Sequence, residues 1–508
     1  FDDLNLNKRT HRIAFDSDIV HKPSVQAAMA AFSTHLHKEH SGSVLVTFLP
    51  PELDGGKNGV DDFIVRHGAK AYETLRQLAR PATELDREGA PAFVWEVEPK
   101  ESHDKALIAW TVFKDNFAKR KGVGLHRWNG RHWVRCSDTS DTEALLKPLH
   151  LWMDHCGWKK RNTGMMNSIT TELLARLTND ELPWDSKELI AFSNGTLDWR
   201  TGEFTPGHRR EDFLTFCLPY AFDPKAKCPT FHRFLKEACN NDDGLVNLVR
   251  AGFRWSISPK DTSQAFPIER SFDVPGRKGR GKGTLSEALT ALVGGDHGRG
   301  LIKSSAFANQ NSLAGLIGKR VAMDPDSDGR ISSAGNFNAV VSNEPVEVKL
   351  LYKNAHPARL GVVVWRFFND SPGASGGGVE GMGRRIITIP FDVEPKKRDP
   401  LLKQKIVAET AGIFAWVYSM TEEEMRDCLA NSGEVESSAA ASVEHALGRD
   451  PVVRFLLETY PDGIDRIKAR DLFKEWCSWC AEERHESGSA TRFGSLIKKV
   501  RVGVGVDA

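Results

Sequence analysis

The stretch that most restricts how this chain can fold is a run of glycines and basic residues at residues 275–284. An apolar stretch, residues 271–274, precedes the run, and a stretch with helical periodicity, residues 285–293, follows it. A strand, a glycine-rich loop and a helix in this order form a phosphate-binding loop, in which backbone amides and the helix dipole face the anion. The sequence therefore predicts an α/β sheet with this loop at the end of one strand.

The loop matches the pattern G-x-x-x-x-G-K-[ST] except at its last position. Lys282 holds the lysine position, but Gly283 stands where the pattern has a hydroxyl that holds Mg²⁺. Thr284 brings a hydroxyl one residue late and could hold the metal only if the first helical turn rearranges. We therefore expect ATP and Mg²⁺ as cofactors and leave efficient hydrolysis open. The expected nucleotide-binding residues are Gly276, Gly279, Arg280, Gly281, Lys282, Gly283 and Thr284.

Two further apolar stretches end in polar side chains suited to nucleotide chemistry. Residues 318–326 end in Asp324 and Asp326, and residues 360–369 end in Asn369. Open α/β sheets bind ligands at the carboxyl edge of their strands, so Asp324 is the first choice and Asp326 the second for the metal and water role. An asparagine at this edge can orient the attacking water or contact the γ-phosphate. The alternative for the acidic pair is an Asp-Pro-Asp turn at a strand end.

Arg384 and Arg385 directly precede another apolar stretch, residues 386–391. A guanidinium binds phosphate through two parallel hydrogen bonds and stays charged, so an arginine just ahead of a strand is well placed to reach a neighbouring subunit's nucleotide. The alternative is that both arginines are solvated surface charges. The order of the four elements along the chain favours the functional interpretation.

The order and spacing of these elements resemble superfamily 3 helicases of the phage and plasmid primase-helicase type. Residues 191–202, 218–224 and 228–231 resemble the domain that precedes the motor in that family, and residues 409–416 and 452–480 resemble its C-terminal winged-helix region. The resemblance covers about residues 100–500. It implies an ATP-driven helicase that works as a homo-hexameric ring on single-stranded or forked DNA during the replication of phages or mobile elements.

The resemblance also assigns roles to single residues. It implies a hairpin at residues 346–356 that projects basic side chains towards DNA phosphates in the channel of the ring, with an ordinary exposed hairpin as the alternative. A rival function, favoured by Gly283, is a DNA-binding or loading ring that binds nucleotide without hydrolysing it. The assigned residues are Lys282 and Thr284 in the first motif, Asp324 in the second, Asn369 as sensor, Arg384 or Arg385 as arginine finger, and Lys349, Lys353 and His356 as DNA contacts.

Residues 14–18 and 56–63 resemble toprim-related domains that are fused to such helicases. Toprim domains bind Mg²⁺ with an Asp-x-Asp pair and an upstream Glu, and the resemblance assigns that pair to Asp16 and Asp18. The alternative is that these are turn or capping carboxylates. The strand with the Glu would precede Phe1, and the chain starts without Met. We therefore expect a fragment that works with a missing amino-terminal region or with a primase or polymerase partner.

Changes in residue pattern divide the chain into four expected domains of a multidomain α/β protein. They are a partial toprim-like α/β piece at 1–85, a mixed α+β domain of the primase-helicase N-terminal type at 86–250, an AAA+-like P-loop ATPase domain at 251–397 and a winged-helix-like helical domain at 398–508. Residues 432–442, rich in Ser, Ala and Glu, are expected to form a flexible loop. Residues 128–133 and 190–199 each contain an Asn-Gly pair and are expected to form hairpins, and a helix is expected at 402–420.

Composition limits how the chain can bind nucleic acid and argues against a membrane-spanning segment. The net charge is +1, from 69 basic and 68 acidic residues, so nucleic-acid binding must come from local patches rather than a global field. No apolar run is long enough to cross a bilayer, and no signal-peptide pattern is present, so we expect a cytoplasmic protein of a bacterial host or phage-infected cell without a membrane partner. Cys477 and Cys480 form a C-x-x-C pair, for which a buried helix face is favoured over a zinc site.

Overall fold

The structure is a computed structural model. It describes residues 9–40, 43–85, 91–93, 98–121, 123–136, 140–179, 181–185, 188–260, 263–327, 331–349, 354–369, 384–449, 451–460, 467–482 and 487–503. The chain forms two compact units, of which unit 1 is Phe1–Ser186 with Gly207–Phe216 and unit 2 is Lys187–Pro206 with Cys217–Ala508. Helices and strands alternate in both units, so the mixed α/β class is confirmed, whereas the division into four domains stays a prediction.

Unit 1 begins with a small sheet whose strands and connecting helix agree with the sequence pattern. Thr10–Ala14 pairs in parallel with Ser43–Thr47, and Pro23–His40 forms the helix between them. Arg80–Pro81 adds a short antiparallel strand. A parallel pair needs a crossover connection, and the helix supplies it.

The remainder of unit 1 is mainly helical around one apolar core. Phe63, Phe113, Leu149 and Trp152 are among the side chains fully buried there. The predicted Asn-Gly hairpin is present, since Gly124–Trp128 pairs antiparallel with Trp133–Arg135. The other helices are Val60–His67, Ala69–Gln77, Ser102–Phe113, Asp141–His155 and Thr163–Leu177, the 3₁₀ turns are Ser17–His21 and Arg210–Asp212, and the other strands are Thr83–Leu85, Pro91–Phe93 and Phe117–Arg120.

A buried histidine of unit 1 lies between two carboxylates. His67 contacts Asp115 Oδ2 through Nδ1 at 2.6 Å and Glu52 Oε1 through Nε2 at 2.8 Å. Burial lowers the pKa of His67, but the hydrogen bonds with Asp115 and Glu52 outweigh it and raise the pKa above the ordinary 6.5. Arg66 also pairs with Glu52, and Lys114 pairs with Asp115. Arg210 lies 3.8 Å from the same aspartate. Protonated His67 therefore stabilises unit 1.

Replacing His67 by Gln removes this protonation, and the effect should depend on pH. Because the folded-state pKa is raised, the stabilisation is complete below about pH 6.5 and is lost as the pH rises through the raised value. Thermal unfolding of both proteins from about pH 6 to about pH 9 should show a difference in Tm that narrows with rising pH. A difference that stays constant over this range would contradict the assignment of a charged His67.

Unit 2 begins with a small sheet formed by the second predicted hairpin and two short strands. Leu189–Phe192 pairs antiparallel with Gly195–Asp198, as the Ser-Asn-Gly turn predicts. Phe204–Pro206 and Cys217–Leu218 complete this four-stranded sheet. Two helices follow, Pro229–Ala238 and Asp243–Ile257. Gly252 lets the second helix approach the next sheet closely, since a Cβ at this position would lie only 2.7 Å from the Trp365 ring.

The central sheet of unit 2 has five parallel strands. They are Ser271–Val274 (the loop strand), Arg299–Leu301, Val321–Ser327 (the acid strand), Val363–Phe368 (the asparagine strand) and Ile386–Thr388. If they are numbered along the chain, their order across the sheet is 2-3-4-1-5. The chain leaves the loop strand for the far edge of the sheet and returns, so the loop strand lies where the order reverses. Open α/β sheets bind ligands at such a switch point.

The loop strand and the asparagine strand share a fully buried ion pair. Arg366 donates from Nε to Asp273 Oδ1 at 2.9 Å and from Nη2 to Oδ2 at 2.6 Å. Both side chains are at most 1% exposed. The guanidinium also lies about 5 Å from the rings of Phe337 and Phe368. Two charges in an apolar sheet are tolerated only as a well-formed pair, so this contact fixes the register of the two strands.

Breaking the pair should destabilise unit 2 strongly. Arg366→Met leaves the Asp273 carboxylate buried without its guanidinium, which typically costs about 3–5 kcal/mol. The double variant Asp273→Leu/Arg366→Met buries no charge and should lose less. Denaturation of the full chain, followed by circular dichroism, compares the two variants with the unmodified chain. A double variant less stable than Arg366→Met alone would contradict the assignment.

After Ile386–Thr388, the regular elements among the described residues of unit 2 are all helices or 3₁₀ turns. The predicted single helix at 402–420 is wrong, because Leu402–Ala408 and Thr410–Tyr418 are separate helices on either side of Glu409. The Glu409 carboxylate accepts hydrogen bonds from the backbone amides of Thr230 and Phe231 at 3.1 and 3.0 Å. Glu409 thus caps another helix at the point where its own helix is interrupted.

The predicted flexible loop at 432–442 is also wrong. Ser432–Glu434 is a 3₁₀ turn and Glu436–Arg449 is a helix, consistent with the helix propensity of alanine. Cys480 is buried near Trp476 on a helix, as the helix-face interpretation expects. No described helix is both long and apolar enough to span a membrane. The remaining elements are the helices Lys282–Leu292, Gln310–Ala314, Ala334–Val341, Glu422–Ala430, Pro451–Thr459, Ala469–Glu482 and Ala490–Gly503, the 3₁₀ turns Gly295–His297 and Ser304–Ala306, and the strands Val346–Val348 and His356–Ala358.

Candidate nucleotide-binding site

The glycine-rich loop follows the loop strand directly and ends at the helix Lys282–Leu292 (the loop helix). Gly276, Gly279 and Gly281 have φ of +153°, +81° and +100°, which residues with a Cβ rarely adopt. A Cβ on Gly276 would also lie 2.1 Å from the carbonyl oxygen of Phe391. The glycines therefore let the backbone turn back over the sheet edge, with the positive end of the loop helix facing the loop.

Lys282 is the first residue of the loop helix, and its side chain is buried against the loop. Its Nζ donates hydrogen bonds to the carbonyl oxygens of Gly276 and Arg277, the latter at 2.9 Å. The residue is only 8% exposed. These carbonyls hold the ammonium inside the curve of the loop, where it can meet the phosphates that the backbone amides attract. Arg280 forms an ion pair with Glu394 at 3.2 Å.

Asp324 lies in the acid strand and is 1% exposed. Its Oδ2 accepts hydrogen bonds from the Ser304 amide at 2.6 Å and the Ser304 hydroxyl at 2.7 Å, and that hydroxyl lies 2.8 Å from the hydroxyl of Ser327. The other oxygen, Oδ1, has no hydrogen-bond partner among the described residues and lies 3.6 Å from Lys303 Nζ. The asparagine strand separates the acid strand from the loop strand, although the three strands end at one edge.

Asp326 and Asn369 are brought together at the carboxyl edge of the sheet. Asn369 Nδ2 donates to Asp326 Oδ1 at 3.0 Å. Asp326 is exposed, in contrast to Asp324. The contact orients the amide of the predicted sensor residue and leaves its carbonyl oxygen able to accept a hydrogen bond from a ligand or water.

The two predicted arginines lie at the opposite end of the sheet. They precede Ile386–Thr388, which runs parallel to the loop strand, so they lie at the amino edge and not beside the loop of the same chain. Arg385 pairs with Glu269 at 2.7 Å and donates to Ser342 Oγ at 3.2 Å. The Arg384 side chain is exposed and makes no ion pair with the described residues. Of the two, Arg384 is therefore freer to reach another molecule.

The expected basic hairpin is present in part. Val346–Val348 pairs antiparallel with His356–Ala358, and both Lys349 and His356 are exposed. Lys353 lies outside the described residues. The DNA-binding role of these three side chains stays a prediction.

Asp16 and Asp18 in unit 1 are already paired with lysines. Lys57 Nζ lies 2.6 Å from Asp16 and 3.6 Å from Asp18, and Lys22 lies 2.5 Å from Asp18. The hydrogen bond from Lys22 is the largest cause that lowers the pKa of Asp18. The two carboxylates follow the strand Thr10–Ala14, as predicted, and their metal role stays a prediction.

The fit of this site to Mg²⁺ is partial. The buried Oδ1 of Asp324 accepts no hydrogen bond from the described residues and suits a cation or a water of its shell, although Lys303 Nζ lies 3.6 Å away. Gly283 offers no ligand, and Thr284 is 9% exposed in the first helical turn. Among the described residues, no three His, Cys, Asp or Glu side chains are grouped to hold a metal by themselves. Asp324 and Thr284 are the residues that would hold Mg²⁺ with the nucleotide, and they fit less well than a hydroxyl at position 283 would.

The sequence pattern did not single out two further cations at the loop. A Cβ on Gly283 would lie 3.5 Å from Lys403 Nζ, and a Cβ on Gly279 would lie 3.5 Å from Arg398 Nη2. Both basic residues are exposed and lie more than 100 positions after the loop in the sequence. Their sequence signal is weak, because they fall in a charged stretch, residues 394–405, that is typical of a solvated surface.

Comparisons with family models match two segments in the first half of the chain. Residues 106–240 match the family model described as D5 N terminal like, and residues 2–71 match a domain of unknown function (DUF3854). The first match supports the resemblance to phage and plasmid primase-helicases over residues 106–240. The superfamily 3 and toprim assignments stay predictions.

Solved structures of one protein resemble the chain weakly. A structure described as the A form apo structure of NrS-1 C terminal region-CTR is 12% identical, with a TM-score of 0.44, over 72% of this chain and 80% of that chain. The apo structure of NrS-1 C terminal region (305-718) is 11% identical, with a TM-score of 0.41, over 74% and 85%. TM-scores this low carry no argument about fold or activity.

Two alanine substitutions in the loop should change the free energy of unfolding differently. Gly276→Ala places a Cβ against the Phe391 carbonyl at a positive φ and should lower the free energy of unfolding by at least about 1 kcal/mol. Gly283→Ala meets only the flexible end of Lys403 and lies in a helix, where alanine is favoured, so we expect no loss or a gain of up to about 1 kcal/mol. Thermal unfolding of both variants tests this, and equal effects would contradict the loop geometry.

Proposed function

We propose that this chain is an ATP-driven DNA helicase motor of the superfamily 3 type, within a replication primase-helicase. The observation that carries the proposal is the buried Lys282 at the start of the loop helix, at the switch point of a five-stranded parallel sheet. The family of the preceding segment, residues 106–240, supports a role in replication. The substrate is ATP, and the polymer on which the motor acts is single-stranded or forked DNA.

The phosphates of ATP would lie over the glycine-rich loop, facing its amides and the Lys282 ammonium. In the present structure this ammonium is held by loop carbonyls, so phosphate oxygens can replace those acceptors without a large movement. Asn369, oriented by Asp326, is suited to position the attacking water. Asp324 would assist through the cation that accompanies the nucleotide, which supplies charge neutralisation when bound.

The position of the arginines supports a ring assembly. Since Arg384 lies at the amino edge of the sheet, it can act only on a nucleotide bound by another subunit. Its guanidinium suits the γ-phosphate through paired hydrogen bonds. We propose a homo-oligomer, a hexamer, in which hydrolysis moves the hairpin 346–358 along DNA.

The second candidate function is a ring that binds nucleotide and DNA without hydrolysing ATP. The observation that favours it is Gly283, which offers no hydroxyl to the metal. Phosphate release measured with and without single-stranded DNA distinguishes the two functions. Release stimulated by DNA supports the motor, and binding without release in either condition supports the alternative.

Lys282→Ala should abolish DNA-stimulated ATP turnover, because no other described side chain is buried inside the curve of the loop with an ammonium group. Lys236→Ala removes the same charge from an exposed position on the helix Pro229–Ala238 and serves as the matched control. Steady-state phosphate release is the measurement, with circular dichroism to show that both variants fold. If DNA-stimulated ATP turnover is unchanged in Lys282→Ala, the proposed function is contradicted.

A further inference from the structure

Lys403 occupies the space beside Gly283, where the phosphate-loop pattern has a hydroxyl. Its Nζ lies 3.5 Å, and its Cε 4.0 Å, from the position that a Cβ on Gly283 would take. Lys403 belongs to the helix Leu402–Ala408, which packs against the loop helix within unit 2. An ammonium group thus lies next to Gly283, the loop position at which the pattern has a metal-binding hydroxyl.

The surrounding acidic side chains are engaged with other cations. Asp399 pairs with Lys405 at 2.7 Å, and Glu394 pairs with Arg280 at 3.2 Å. Neither Lys403 nor Arg398 forms an ion pair with any residue in the described part of the chain. Two cations therefore lie over the loop without a carboxylate partner, next to backbone amides that attract an anion.

We propose that Lys403 supplies at Gly283 the positive charge that a hydroxyl-bound Mg²⁺ supplies in other phosphate loops, so that ATP binding here does not require a divalent metal. The inference rests on the proposed function, since it concerns the same nucleotide site. An ammonium group is a compact charge that binds phosphate oxygens through charge-assisted hydrogen bonds.

The test is the binding of a fluorescent ATP analogue to the full chain, titrated in EDTA and in MgCl₂. The unmodified chain should bind with similar affinity in both buffers. Lys403→Ala should weaken binding in EDTA roughly tenfold, as the loss of one charge-assisted hydrogen bond predicts. Lys405→Ala lies on the same helix, changes the net charge equally and is paired with Asp399, so it should leave binding unchanged.

A double variant makes the inference independent of folding defects. Gly283→Ser/Lys403→Ala restores the hydroxyl and removes the ammonium, and it should bind the analogue about tenfold more tightly in MgCl₂ than in EDTA. Ordinary van der Waals distances around the 283 Cβ position allow the serine. Circular dichroism checks that each variant folds.

The two proposals fail in different ways. If Lys403→Ala binds in EDTA as well as the unmodified chain does, while Lys282→Ala does not bind, the role of Lys403 is overturned and the nucleotide site stands. If the unmodified chain binds only in MgCl₂, the inference is likewise overturned. If it binds in neither buffer, both the inference and the proposed function fall.

Discussion

The ion pair between Asp273 and Arg366 is the contact on which the candidate site depends. It joins the loop strand to the asparagine strand inside the sheet, at full burial. The Cα register places Asp273 beside Arg366 and Arg366 beside Asp324, so one row of charged side chains crosses three strands. A slip of one residue would turn these charges to the other face of the sheet, at a large desolvation cost. The pair therefore sets the relative positions of the glycine-rich loop, Asp324 and Asn369.

The charges at the carboxyl edge are arranged by burial. Asp324 is enclosed and bound by Ser304, whereas Asp326 is exposed and bound by Asn369. Two neighbouring carboxylates thus have separate environments, one suited to a cation and the other to orienting an amide. At the loop, Lys403 and Arg398 bring positive charge from a later segment of unit 2. A site that lacks one expected ligand thus has two cations from a distant segment of the chain close to its loop.

Local features of the site were predictable from sequence. The strand, loop and helix around Lys282 form where expected, because glycine conformations and helical periodicity act over a few residues. The strand ends at Asp326 and Asn369 were predicted for the same reason. The expected loop at 432–442 was wrong because a segment rich in small residues was taken as flexible. Its alanines favour a helix and lie in Glu436–Arg449. The helix at 402–420 was predicted, but not its interruption at Glu409, whose carboxylate caps a helix far away in sequence.

The sequence by itself determined the phosphate loop, its missing hydroxyl and the polar residues at the strand ends, since these are properties of short segments. Only the tertiary structure decided the strand order 2-3-4-1-5, which aspartate is buried, and which cations lie over the loop. Parallel strands are joined by crossovers through helices, so neighbours in the sheet are far apart in the chain, and no local pattern encodes their pairing. Arg366 meets Asp273, and Lys403 lies beside Gly283, through such long-range contacts, and for this reason their roles emerge only once the chain is folded.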